Sequence, residues 1–174
     1  MIETLLPPEL IAAATRVIEA NRAAGRRVAL AESCTGGLVA TALTEVSGAS
    51  EVLLASFVTY ANEAKQRTLG VSSDIIDTFG AVSVATAWAM AQGVLEACDA
   101  DVAVAITGVA GPGGGSAKKP VGTVVFARAI RGEDPAQVVA DKRQFGDLGR
   151  GGVRLQAALC ALELLLPGST LGAP

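Results

Sequence analysis

The chain has 174 residues, of which 51% are hydrophobic and 18% are charged. This composition supplies enough apolar surface for a buried core and excludes intrinsic disorder of the whole chain. Lys and Arg number 14 against 17 Asp and Glu, a net charge of −3, which favours neither nucleic acid nor an anionic membrane as a partner. We expect one domain over residues 1–174, with a core at about 8–166 and a tail at 167–174.

The residue types also limit the chemistry. The sequence contains no histidine, which excludes Ser–His and Cys–His catalytic pairs and His-ligated metal sites. Lys, Tyr, Cys or a carboxylate is left as the base. Cys34, Cys98 and Cys160 form no CxxC pair, so we expect neither a zinc site nor a disulfide framework.

Nothing in the sequence indicates export or membrane insertion. The first residues lack the basic region of a signal peptide. Residues 78–95 carry no charge, but glycine and polar residues interrupt them, which favours an amphipathic helix over a membrane span. We therefore expect a soluble, cytoplasmic protein.

The predicted elements follow from short apolar runs bounded by glycine, proline and polar residues. In chain order, we predict a helix from Pro7-Pro8 to Ala24, a strand at 28–31, a helix at 38–46 and a strand at 52–60. Three helices follow, from Asn62 to Gly70, from Ser73 to Gly80 and from Ser83 to about Cys98. The chain ends with strands at 102–106, 121–129 and 137–145 and a last helix at about 151–166. Asn62 and Ser73 are predicted to cap their helices.

This order predicts an α/β fold with three layers, α/β/α, in which helices cover both faces of a sheet. A crossover helix separates each pair of the first three strands, so these strands should be parallel. The last two strands should form an antiparallel hairpin on the same sheet. The sheet is therefore predicted to be mixed and mostly parallel.

Ligands of such sheets bind beyond the carboxyl ends of the parallel strands. Polar clusters follow all three predicted parallel strands, at 32–37, 60–65 and 107–115, and the returning strand of the hairpin brings Arg150 to the same edge. We therefore expect one crevice to contain Ser33, Tyr60, Lys65, Thr107 and Arg150.

Ser33 is the candidate nucleophile because it lies on a sharp strand-to-helix connection. The glycines that follow it, Gly36 and Gly37, leave backbone N–H groups at a helix N-terminus, and such groups stabilise an oxyanion. The alternative is that Ser33 or Thr35 only caps the helix. Cys34 is a rival nucleophile, or a small buried residue packed on the sheet.

Lys65 is the best-placed base, since a desolvated lysine loses its proton more easily. The alternative is an ordinary solvated lysine. Tyr60 could stack on a flat ring, donate from its hydroxyl, or belong to the rim of the core.

The segment from Gly108 to Gly115 holds five glycines in eight residues. Backbone amides in such a loop approach an anion such as phosphate closely, although a flexible connection has the same composition. Arg150 and Arg154 could pair with a phosphate, or be exposed helix arginines. Ser50 precedes the second strand and is interpreted as a turn or capping residue at the opposite edge.

Five motifs together resemble one known family. They are AESCTGG at 31–37, FVTYANEAK at 57–65, GAVS at 80–83, ITGVAGPGG at 106–114 and KPVGTV at 119–124. In this order and spacing they are similar to the C-terminal domain family of the competence- and damage-inducible protein CinA, whose stand-alone members include nicotinamide-nucleotide amidases. The resemblance extends from about Leu10 to Leu166.

The resemblance implies an amidase that converts nicotinamide mononucleotide to nicotinic acid mononucleotide and ammonia, with Ser33 and Lys65 as the catalytic pair and Tyr60 beside them. Lys65 would deprotonate Ser33, the Ser33 oxygen would attack the carboxamide carbon, and water would hydrolyse the acyl-enzyme. Neither a metal nor a cofactor is expected.

The resemblance also implies the substrate-binding residues. They are Thr35, Gly36, Gly37, Thr107, Gly108, Gly111, Gly113 and Arg150. The N–H groups around Thr35 to Gly37 are expected to hold the oxyanion. Arg150 is expected to bind the phosphate, with Arg143 and Arg154 as alternatives.

Two other functions remain open: a nucleotide-binding or regulatory module without turnover, and a thiol-dependent amidase that uses Cys34. The high apolar fraction and the Ala-rich helices would suit a homodimer. The predicted partner is a small nucleotide, with neither nucleic acid nor membrane.

Overall fold

The computed structural model describes residues 4–169, which form five strands, six α-helices and one short 3-10 helix. In chain order the elements are α1 (Pro8–Ala23), β1 (Val28–Glu32), α2 (Leu38–Thr44), the 3-10 helix (Ala49–Glu51), β2 (Leu53–Val58), α3 (Asn62–Leu69), α4 (Ser73–Phe79), α5 (Val84–Ala97), β3 (Val102–Gly108), β4 (Thr123–Ile130), β5 (Ala140–Gln144) and α6 (Gly149–Leu165). Residues 170–174 of the predicted tail lie outside the described residues.

The five strands form one sheet with the order β2-β1-β3-β4-β5. β1 pairs in parallel with both β2 and β3, while β4 is antiparallel to β3 and to β5. Only β4 therefore runs against the other four strands. This confirms the predicted mixed, mostly parallel sheet and the antiparallel hairpin at its end.

Successive residues of β1 face opposite layers, because side chains alternate along a strand. Val28 and Leu30 pack with the core formed by α1, α2 and α6. Ala29 and Ala31 belong to the second core, under α3, α4 and α5. The predicted three-layer α/β/α fold is thus confirmed. None of the helices in residues 4–169 is long and apolar enough to cross a membrane.

Alanines dominate the sheet face beneath α5. Those of β1, β3 and β4 in this core are fully buried, namely Ala29, Ala31, Ala103, Ala105, Ala127 and Ala129. Their small side chains leave room for α5 to pack close to the sheet, and α3 packs in turn against α5. This packing fixes the helix that carries Lys65.

Two predicted caps are wrong. The N-cap position of α3 is Ala61, with no side-chain cap, and Asn62 is already helical. In α4 the capping oxygen belongs to Ser72, which accepts from the Asp74 N–H, so Ser73 is the first helical residue. The helix predicted to begin at Ser83 is α5, which begins at Val84; Ser83 is its N-cap residue, and its hydroxyl accepts from the Thr86 N–H.

Candidate active site

The turn after β1 carries the candidate nucleophile. The Ser33 N–H donates to the Ile106 carbonyl at 3.0 Å, which continues the β1–β3 pairing beyond the end of β1. The chain then passes through Gly36 and Gly37, whose φ angles of +60° and +92° favour glycine, and enters α2. Ser33 is 8% exposed, so it lies where the core meets a cavity.

Lys65 places an amine beside this hydroxyl. It lies in the first turn of α3 and is 1% exposed. Its Nζ is 3.3 Å from Ser33 Oγ, and it donates to the carbonyl oxygens of Thr59 at 2.9 Å and Tyr60 at 3.2 Å. Burial penalises the ammonium form and lowers the pKa of Lys65 below its ordinary value of 10.5. The Lys65 ammonium therefore loses its proton more easily here than in water.

The cavity at this sheet edge has a volume of about 300 Å³, at the lower end of the range of ligand pockets. It is lined by Ser33, Cys34, Tyr60, Asn62, Lys65, Ala81, Val82, Thr107, Gly108, Val109, Ala110, Gly111, Gly113, Gly114 and Arg150. The five residues expected in one crevice are thus brought together, along with the predicted binding glycines of the loop.

The start of α2 departs from the prediction. Glu32 Oε2 accepts from the N–H groups of Gly37 at 3.0 Å and Val39 at 3.2 Å, and Oε1 accepts from that of Ala40 at 2.9 Å. The Gly36 N–H donates to a carbonyl within the turn. The expectation that the N–H groups of Gly36 and Gly37 hold an oxyanion is therefore wrong, because both already have partners.

Thr35 also lies apart from the cavity, as do Gly36 and Gly37. Its side chain is fully buried, and its hydroxyl has no hydrogen-bond partner in the described part of the chain. Its carbonyl accepts from Arg154 Nη2 at 2.9 Å. Arg154 thus braces the turn from outside.

Of the three candidate arginines, Arg150 alone lines the cavity. It follows the first residue of α6, and its Nη1 donates to the Gly111 carbonyl at 2.9 Å. Arg143 pairs with Asp141, with Nε 2.8 Å from the carboxylate oxygen.

Thr107 contributes to the cavity wall. Its hydroxyl donates to the Ala81 carbonyl at 2.8 Å, so it joins β3 to the segment before α5. Gly108 comes next, where a Cβ atom would lie 2.8 Å from Val124 Cγ2 and 2.9 Å from the Thr123 carbonyl. Only glycine fits at that position without displacing β4.

The glycine-rich loop at 109–120 is fastened at both ends. The Val109 N–H donates to Thr123 O and the Gly122 N–H to Val109 O, each at 2.8 Å. Lys119 Nζ reaches the last residue of α4 and donates to the Phe79 carbonyl at 2.6 Å. These bonds favour a formed cavity wall over a flexible connection.

Thiol and metal chemistry find little support in this geometry. Cys34 is 5% exposed, and burial raises the pKa of its thiol to about 11, so the thiol is protonated at neutral pH. Within residues 4–169, no three His, Cys, Asp or Glu side chains cluster in a way that could hold a metal ion. The thiol-dependent alternative is thus disfavoured.

The profile of the CinA C-terminal domain matches residues 11–168. The chain belongs to the CinA C-terminal domain family. The predicted resemblance is confirmed. Among curated relatives, the nicotinamide-nucleotide amidohydrolase PncC of Enterobacter agglomerans is 51% identical over 148 residues, which cover 84% of this chain and 87% of that protein.

Other relatives in the family are longer. A CinA-like protein of Syntrophobacter fumaroxidans is 46% identical over 84% of this chain, but the match covers 34% of that protein. This CinA-family chain therefore spans about a third of the length of such relatives. Among solved structures, competence/damage inducible protein CihA of Agrobacterium tumefaciens superposes with a TM-score of 0.88 at 48% identity, over 93% of this chain and 96% of that one.

Sequence reasoning missed Glu32, which is fully buried at the end of β1 and beside Ser33. The sequence did contain a signal for this role: a carboxylate ends an otherwise apolar strand, directly before a turn that contains glycines. Such a buried group must find hydrogen-bond donors. Sequence reasoning also missed the tether formed by Lys119, for which no local signal existed.

Proposed function

We propose that this CinA-family protein is a nicotinamide mononucleotide amidohydrolase that releases ammonia and nicotinic acid mononucleotide. The buried contact between Lys65 Nζ and Ser33 Oγ at 3.3 Å carries the proposal, because it pairs a nucleophile with a base inside a cavity. The substrate is inferred from the name of the Enterobacter agglomerans relative, which this chain matches over most of both lengths.

The hydrogen bonds around Lys65 support its role as base. A neutral amine has two N–H donors and one lone pair. The carbonyl oxygens of Thr59 and Tyr60 would take the two donors, which leaves the lone pair for the Ser33 hydroxyl. Lys65 would then take the Ser33 proton as the oxygen attacks the carboxamide carbon.

Both halves of the reaction balance with this pair. In acylation, the proton taken by Lys65 passes to the amide nitrogen, the C–N bond breaks, and ammonia leaves. In deacylation, Lys65 takes a proton from water, the hydroxide attacks the ester carbon, and the proton returns to Ser33. The N–H groups of Cys34 and Thr35, which donate to no other residue among residues 4–169, are the ones available to the oxyanion.

The substrate would lie along the cavity with its phosphate at Arg150. This guanidinium reaches the cavity from α6, where Nη1 donates to the Gly111 carbonyl and Nη2 to the Tyr60 hydroxyl. The other N–H groups of the same guanidinium keep the charge and the forked shape that suit phosphate. Tyr60 would pack near the pyridine ring. The N–H groups of the glycine-rich loop, with Thr107, would hold the remainder of the nucleotide.

Ammonia release from nicotinamide mononucleotide tests the proposal. Ser33→Ala should abolish turnover, while Ser50→Ala, at the opposite end of β2 and exposed, should keep the wild-type rate. Lys65→Met keeps length without basicity and should also be inactive. Wild-type turnover by Ser33→Ala would exclude Ser33 as the nucleophile, and normal turnover by Lys65→Met would exclude Lys65 as the base.

The other functions give different results in the same assay. A binding module without turnover would bind the product nucleotide but release no ammonia as the wild-type protein. A thiol-dependent amidase would lose its activity in Cys34→Ser, whereas the Ser33 mechanism keeps it.

Oligomeric state and location extend the proposal. We propose a homodimer, supported by the exposed side chains of Leu54 and Val58 on the edge strand β2. Light scattering across a range of concentrations would give the mass. The three free cysteines fit a reducing cytoplasm.

A further inference from the structure

Glu32 is a fully buried carboxylate that the proposed chemistry does not use. It ends β1, directly before Ser33. Its oxygens accept from the N–H groups of Gly37, Val39 and Ala40 at the start of α2. Oε1 also accepts from the Ser56 hydroxyl on the adjacent strand β2 at 3.4 Å. All four contacts come from donors, so both carboxylate oxygens of this buried side chain are satisfied inside the protein.

We infer that Glu32 is a positioning residue for the nucleophile and for the oxyanion site, an inference that rests on the proposed function. The first N–H groups of a helix have no partner within it. In α2 these groups donate to Glu32, so the helix start is tied to the strand that carries Ser33. The turn at 33–37 is thereby clamped between its two ends.

The clamp also decides which amides remain available. Glu32 takes the N–H groups of Gly37, Val39 and Ala40, and carbonyls within the turn take those of Gly36 and Leu38. Two amides of the turn, at positions 34 and 35, donate to no other residue among residues 4–169. Glu32 thus directs the oxyanion toward the residues next to Ser33.

The same residue is connected to the base. The Thr59 N–H donates to the Glu32 backbone carbonyl at 2.9 Å, and the Thr59 carbonyl accepts from Lys65 Nζ. Glu32 therefore positions the turn that carries Ser33 through its side chain. Through its backbone carbonyl it positions Thr59, whose own carbonyl accepts from Lys65. Only the first of these contacts depends on the side chain, so a substitution separates them.

The Glu32→Gln variant tests the inference. Its amide NH₂ group would face a backbone N–H that now donates to a carboxylate oxygen, so the turn must shift. A misplacement of about 1 Å lowers rates by about 100-fold, so we expect kcat to fall by about 10- to 100-fold while KM stays within about threefold. Ser56→Ala, the matched control, removes only the 3.4 Å contact and should keep both constants within about twofold.

A covalent probe separates positioning from a general loss of structure. The rate at which a fluorophosphonate labels Ser33 should fall in Glu32→Gln together with kcat, whereas the affinity for the product nucleotide should be unchanged. A folded Glu32→Gln variant with wild-type labelling and kcat would overturn the inference. Absent turnover and labelling in the wild-type protein would instead contradict the proposed function.

A second test uses the wild-type protein and therefore does not depend on whether a variant folds. In the phosphonylated enzyme the phosphoryl oxygen replaces the oxyanion, so amide NMR resonances report its donors. We expect the amide protons of Cys34 and Thr35 to move downfield and those of Gly37 and Val39 to stay in place. The largest shift at Gly37 or Val39 would overturn the inference.

Discussion

Arg150 and Tyr60 meet at the rim of the cavity, where Arg150 Nη2 donates to the Tyr60 hydroxyl at 2.8 Å. The backbone carbonyl of the same tyrosine accepts from Lys65 Nζ. Tyr60 thus lies between the proposed phosphate end and the proposed catalytic end. A phosphate bound at Arg150 would compete with the tyrosine hydroxyl for one arm of the guanidinium.

Arg150→Lys should weaken substrate binding more than it slows the chemistry. A lysine offers a point charge in place of the two-armed fork. The loss of one charge-assisted hydrogen bond, about 1.5–3 kcal/mol, corresponds to a KM increase of about 10- to 100-fold, with a smaller change in kcat. Initial rates of ammonia release over a range of substrate concentrations give both constants.

Arg143→Lys is the control for this experiment. Arg143 pairs with Asp141 and lies away from the cavity, so the exchange should leave KM within about twofold. Equal effects of the two exchanges would remove Arg150 from its proposed place at the phosphate.

The lowered pKa of Lys65 predicts the pH dependence of the rate. Since the base must be neutral, kcat/KM should rise with pH and level off at the pKa of Lys65, below 10.5. If Cys34 were the nucleophile, the rate would keep rising toward the thiol pKa of about 11. Cys34→Ser should therefore keep the wild-type profile, and a profile without an acid limb would contradict Lys65 as the base.

The same lowered pKa predicts a change in stability with pH. Between the native pKa of Lys65 and its unfolded value of 10.5, the unfolded state binds more protons than the native state. The free energy of unfolding should therefore rise with pH across this window relative to Lys65→Met, which lacks the titrating group. Urea unfolding of both proteins at several pH values measures the difference, and parallel curves would refute the prediction.

Lys119→Met should loosen the cavity wall. Its ammonium joins the glycine-rich loop to the carbonyl end of α4 at Phe79, and a cation at that end is favourable. Without the tether, the loop must be ordered by the substrate, so KM should rise by about 5- to 10-fold with kcat nearly unchanged.

Lys118→Met is the matched control, because Lys118 is exposed and its side chain makes no hydrogen bond or ion pair within residues 4–169. Its kinetic constants and its rate of limited proteolysis should equal those of the wild type, whereas Lys119→Met should be cut faster in the loop. An unchanged cleavage rate in both variants would show that Lys119 does not hold the loop.

Much of the site could be predicted because one rule of topology relates strand ends to each other. Ser33 and Lys65 follow parallel strands and Thr107 lies near the carboxyl end of a third, so their convergence needs only the strand directions. The sequence also contains the information that separates Arg143 from Arg150 as the residue at the cavity. Arg143 and Asp141 are two residues apart on a strand and therefore share a face.

The donors of the oxyanion site could not be predicted in the same way. Local sequence indicates free N–H groups after Ser33, but it cannot show that a carboxylate from the preceding strand turns toward them. That choice depends on how β1 and α2 approach each other in three dimensions. The tether from Lys119 to Phe79 likewise joins residues 40 positions apart, beyond the range of any local pattern.

Gly93→Ala tests the packing that holds the base. In α5 a Cβ at Gly93 would lie 2.0 Å from the carbonyl oxygen of Leu69, one helical turn after Lys65 on α3. Alanine is favoured over glycine in a helix by about 1 kcal/mol, but overpacking against backbone costs about 1–3 kcal/mol. We therefore expect a lower thermal midpoint and a lower kcat, because α3 must move.

Gly151→Ala is the control for this experiment. In α6, Gly151 has open space around its Cβ position, so Gly151→Ala should be at least as stable as the wild type. A Gly93→Ala protein with the thermal midpoint and the kcat of the wild type would show that the contact between α5 and α3 does not position Lys65.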